Sequence, residues 1–111
     1  MFYNQSINKI PIDYFKYNNS FIPITSIYDM FKRTRIKEIP TDNTYGLIPN
    51  SVTDVNYLFA DCFNLRGGIP NNLFNNNTNL TEMIGTFHGT GVLFNVDSSN
   101  LEMMSPFNLL E

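Results

Sequence analysis

The chain holds one cysteine, Cys62, and one histidine, His88. A single thiol excludes an internal disulfide, so no oxidising compartment is implied. One thiol and one imidazole cannot assemble a two-histidine or multi-cysteine metal site within the chain. They leave one nucleophilic pairing formally open, Cys62 with His88. The two fall in successive turns, three residues after Phe59 and one after Phe87, and the expected arrangement is a small buried thiol and an exposed histidine. Charge is scarce as well: 15% of residues are charged, the net charge is −3 and the pI is near 4.9. Against the usual quarter of charged residues this is low, and it argues against a nucleic-acid partner, which needs clustered Lys and Arg to release counterions. No apolar run approaches the roughly 18 residues of a membrane span, so no membrane insertion is expected. The opening "MFYNQSINKIP" has neither the basic start nor the apolar stretch of a signal peptide. The acidic residues are scattered without calcium-loop spacing, and the glycine turns at 66–68 and 88–91 form no phosphate loop. No catalytic, cofactor-binding or metal-binding residue is assigned, and an enzyme is the least expected class.

Polarity comes instead from asparagine, as in "NNLFNNNTN" at 71–79. Asn-rich tracts can mark disorder. Here Leu73, Phe74 and Leu80 punctuate the tract and aromatics reach 14%, so an ordered, turn-rich structure is expected. One basic cluster stands out, "KRTRIK" at 32–37, with four of the seven cations. It reads as a solvated turn, with a local acidic or phosphate-bearing partner as the alternative.

The chain also repeats itself. Phe2, Phe31, Phe59 and Phe87 recur at nearly equal steps of 29, 28 and 28. Five residues after three of them stand Ile7, Ile36 and Val92, while Leu65 arrives one residue late, as if its turn held an insertion. Ile-Pro closes three units, at Pro11, Pro40 and Pro70. Ahead of the anchors lie the pairs Ile24/Ile27, Val52/Val55 and Leu80/Met83. Their i, i+3, i+6, i+7 spacing predicts a short helix or tight helical turn ending near each Phe. The "IKEIP" type of segment that follows reads as a short extended piece. No unit can bury its own apolar stripe, so units stack Phe on Phe and Ile on Ile. Between them run loops of unequal length. In one of these, "DYFKYNNSF" at 13–21, Phe15 matches Phe74 in its distance from Ile-Pro and reads as core. Tyr14 and Tyr17 are then the freer contact candidates, on the ground that dense aromatics serve interfaces and sugar-stacking platforms.

The stretch "IPNSVTDVNYLFADCFNLRGGIP" at 48–70 resembles the BspA-like branch of the leucine-rich repeats, through Ile48, Pro49, Ser51, Val52, Thr53, Val55, Phe59, Cys62, Leu65, Ile69 and Pro70. Residues 24–40 match the same phasing and 79–92 match it loosely, while the turn cysteine occurs only once and the period is longer than is common in the family. The resemblance implies a right-handed solenoid with short parallel strands and a non-enzymatic role, in proteins that look like surface adhesins, host-interaction proteins and phage-particle components.

The expectations are therefore these. The fold class is α/β: a short right-handed leucine-rich-repeat-like solenoid of short parallel strands, turns and short helices. Residues 1–93 carry about three and a half repeats of period 28–29, and 94–111 form a degenerate repeat or cap. The chain is a binding module for attachment to protein or glycan, with Tyr14, Tyr17 and Tyr45 as candidate contact residues. The alternative is a structural component of a larger assembly, such as a phage virion or tail, docking through repeat ends: Met1-Phe2 opens on an anchor with no polar cap ahead of it, so either the segment is cut from a longer array or that face is covered by a partner. Partners are a host surface protein, a neighbouring subunit or a glycan, with no nucleic acid and no cofactor. The resemblance favours a cell-surface, extracellular or virion location.

Overall fold

A computed structural model describes residues 7–41, 46–70, 73–74 and 77–93. Its strands are short: β1 (Lys16–Tyr17), β2 (Ser20–Phe21), β3 (Arg66–Gly68) and β4 (Gly91–Leu93). β1 pairs with β2 antiparallel, and β3 with β4 parallel. Parallel bridges also join Ser26 to Asp54 and Asp54 to Glu82.

This overturns the expected α/β solenoid of helices and parallel strands. Among the described residues there is no helix, one of the two sheets is antiparallel, and the parallel pairing is confined to β3–β4 and those bridges. The "IKEIP" segment forms no strand. The backbone hydrogen bonds give the reason. Turns occupy 28–33, 56–61 and 84–89. In the first, the amides of Met30, Lys32 and Thr34 reach back three residues, to the carbonyls of Ile27, Asp29 and Phe31. The alternate amides, of Ile27, Asp29, Phe31 and Arg33, leave the turn and donate to Asp54, Asn56, Leu58 and Ala60 of the next. Val55, Tyr57, Phe59 and Asp61 repeat this toward Glu82, Ile84, Thr86 and His88. An α-helix sends every amide four residues back. Here half of them stitch one turn to its neighbour, and the segment becomes a ribbon of overlapping reverse turns. Apolar residues three apart share a side in either geometry, which is why the spacing reads as helical.

The ribbon needs left-handed backbone at two places in each turn. These are Asp29, Tyr57 and Gly85 in one column, Arg33, Asp61 and Gly89 in another, all with φ between 56° and 74°. A non-glycine residue there costs roughly 1–2 kcal/mol, which only the stitched neighbours can offset.

Inside the stack Phe31, Phe59 and Phe87 are fully buried. Their rings lie nearly parallel, with centroids 5.9 Å apart for the first pair and 5.5 Å for the second, within the range of offset stacking. Ile27, Val55 and Met83 form a second buried column, and Val52 and Leu80 a third. Phe15 and Phe74 are both buried, and each follows a turn whose Pro carbonyl, of Pro11 or Pro70, accepts the amide three residues on.

The asparagines and threonines act as staples. Buried Asn77 donates from Nδ2 to the carbonyls of Pro49 (2.7 Å) and Ile48 (3.3 Å). Asn79 donates to the carbonyl of Asn50, and Asn56 Oδ1 accepts the amide of Ile84. Thr53 Oγ1 bonds the carbonyl of Thr25, and Thr81 Oγ1 that of Thr53. Each bond links positions 28 or 29 residues apart. Every buried side-chain nitrogen and oxygen among the described residues has a partner, as a dry interior requires.

Candidate binding surface

The loop at 13–22 is a β-hairpin. Asn18 and Asn19 take φ of 50° and 65° between β1 and β2, the doubly left-handed geometry of a type I′ turn. Beyond the strands the carbonyl of Phe15 accepts the amide of Ile22. Phe15, at the base of the hairpin, is buried, while Tyr17, at its tip, has 74% of its surface exposed. Lys16 Nζ lies 4.9 Å from the Phe21 ring centroid, a cation–π contact across the hairpin.

The three sequence-predicted contact residues are not equivalent. Tyr17 is the free one. Tyr14 is half-buried and packs edge-on against Phe15 (5.0 Å) and Phe31 (5.5 Å), and this burial raises its phenol above the ordinary range. It belongs to the wall of the core more than to a free surface. Tyr45 lies outside the described residues, as do 94–111. The sequence reads the hairpin only as a loop. Two asparagines between aromatic and polar alternation are the signal that finds it.

Cys62 is fully buried. Its Sγ lies 3.0 Å from the carbonyl oxygen of Phe31, to which it donates, and 3.4 Å from Thr34 Oγ1. Burial pushes the thiol up, outweighing the hydrogen bonds that pull it down. A protonated, occupied thiol is a poor nucleophile. His88 is exposed and its carbonyl accepts the amide of Asp61. Among the described residues no three of His, Cys, Asp and Glu gather as metal ligands, and no helix is long and apolar enough to cross a membrane.

The outer side of the turns carries dissimilar groups. Tyr28, Phe63 and Ile84 are large and exposed, Lys32 lies over the Tyr57 ring at 5.7 Å, and Arg33 Nε stands 3.7 Å from Asp61 Oδ2. Compared with known proteins, the chain matches no protein-family model, no curated protein and no solved structure.

Proposed function

We propose that this protein is a non-enzymatic binding module that attaches to a protein or glycan through the hairpin tip, with Tyr17 as its principal contact. The observation that carries the reading is the 74% exposure of Tyr17 on a hairpin whose Phe15 is anchored in the core. An exposed tyrosine offers a large contact area with only two side-chain torsions to fix. The BspA-like resemblance of residues 48–70 agrees with it. The buried, hydrogen-bonded thiol of Cys62 offers no activated nucleophile in support of an enzyme.

A second reading, a structural component of a larger assembly such as a phage virion or tail, draws on Tyr28 and Ile84, half exposed at equivalent places of the first and third turns. Exposed apolar groups at repeated positions suit subunit contacts. Light scattering on a sizing column separates the two. A 12.8 kDa monomer that binds on glycan or surface-protein arrays, and loses that binding on Tyr17→Ala, supports attachment. A stable multimer that Tyr28→Ser breaks supports assembly. A monomer whose array binding ignores Tyr17 contradicts both.

A further inference from the structure

A cleft of about 290 Å³ opens between the first and second turns, lined by Arg33, Thr34, Arg35, Asp61, Phe63 and Asn64. Its origin is the inserted residue. Thr34 and Cys62 occupy equivalent places and touch, and Ile36 and Leu65 are both buried as the next equivalent pair. Between these fixed points the first turn has one residue, Arg35, and the second has two, Phe63 and Asn64. The surplus residue has no room inside, so Phe63 is pushed outward to 66% exposure beside Arg35. Among the described residues no ring or cation packs on Phe63, and no carboxylate pairs with Arg35. Arg33 Nε stands 3.7 Å from Asp61 Oδ2, too far for a hydrogen bond, so the guanidinium donors are not committed to that carboxylate. Two arginines against one aspartate make the site locally positive in a chain of net charge −3.

We propose that this cleft binds a single acidic sugar ring, a pyranose carrying a carboxylate. Guanidinium forks match a carboxylate in two-point geometry. The exposed face of Phe63 fits the apolar face of a pyranose, while Asn64 and Asp61 supply a donor and an acceptor for ring hydroxyls. The volume sits at the lower edge of ligand pockets, which run from about 300 to 1,000 Å³, and so suits one ring in place of a chain segment. A bare anion or an acidic side chain would use the arginines and leave Phe63 idle. The site is separate from the Tyr17 hairpin and stands whether or not that tip attaches the protein to anything.

The test is a titration of the full chain, followed by amide NMR shifts, with methyl glucuronide, methyl glucoside, acetate and hexaglutamate. The glucuronide binds at least tenfold more tightly than the other three. Arg35→Gln and Phe63→Ala each weaken it tenfold or more, a loss of about 1.4 kcal/mol or greater. Both positions are exposed, so both variants keep the parent melting temperature. Absence of glucuronide binding overturns the proposal. So does acetate binding equally well with Phe63→Ala silent, which would make the cleft a plain anion site, or hexaglutamate binding more tightly, which would make it a peptide site. Loss of glucuronide binding in Tyr17→Ala alone would move the sugar to the hairpin.

Discussion

The inner and outer sides of the same turns follow opposite rules. Inward, three successive turns present the same residue, Phe31, Phe59 and Phe87, in near-parallel stacking. Outward, the equivalent positions Arg33, Asp61 and Gly89 share a left-handed backbone and nothing else. The interior is under one constraint, filling a column of fixed spacing, and identity between turns satisfies it. The outside must only tolerate the left-handed backbone, so its side chains are free to differ. The difference teaches where each kind of information lies: the register is held inside, and the variation between turns outside.

The largest effect comes from breaking the inner column. Phe59→Ala removes a ring stacked on both sides and costs about 3–5 kcal/mol, read as a fall in the denaturant midpoint. Next is the outer column's backbone. A Cβ at Gly89 would collide with the Asp61 carboxylate, and the residue sits at φ 74°. Gly89→Ala therefore costs about 1–2 kcal/mol, and Asp61→Gly in the same chain recovers the part due to the collision.

The third effect is a slope with pH. Burial raises the thiol of Cys62 and, to its own degree, the phenol of Tyr14. For both groups the folded state then holds its proton to higher pH than the unfolded state does. The stabilisation is complete below the unfolded-state pKa values and declines as pH rises through the ordinary thiol range and then the phenol range. Thermal melts across alkaline pH should show this decline, and Cys62→Ala should flatten its first part.

The smallest effects lie at the surface. Asp61→Asn, which ends the exposed Arg33 contact, costs no more than about 1 kcal/mol. Tyr17→Ala stays within about 0.5 kcal/mol of the parent, whereas Tyr14→Ala, which unpacks an edge-on contact with Phe15 and Phe31, costs visibly more. Equal costs for the two tyrosines would erase the distinction between wall and tip.

What the sequence made legible follows the same division. The even spacing of Phe31, Phe59 and Phe87, the late arrival of Leu65, and the inward places of Phe15 and Phe74 come from apolar identity at fixed intervals, and the burial of Cys62 from its being a small lone thiol. Secondary structure does not come that way. Apolar residues three apart, such as Ile24 and Ile27, fit a helix and a reverse turn equally, and the choice depends on whether alternate amides find a carbonyl in the neighbouring turn. That is a non-local property. The left-handed sites were hidden for a related reason, since only the third turn marks them with glycine, at Gly85 and Gly89. The cleft was half visible, as a basic cluster in one place and an inserted residue in another. Only the stacking of the turns brings Arg35 beside Phe63.

The most direct test of the stacked-turn account is a measurement of scalar couplings across hydrogen bonds in uniformly labelled protein. The account predicts couplings from the amide nitrogen of Phe31 to the carbonyl carbon of Leu58, and from that of Phe59 to that of Thr86. Couplings from the same two amides to carbonyls four residues back, at Ile27 and Val55, would mean that these segments are helices and that the turns are not stitched together as described.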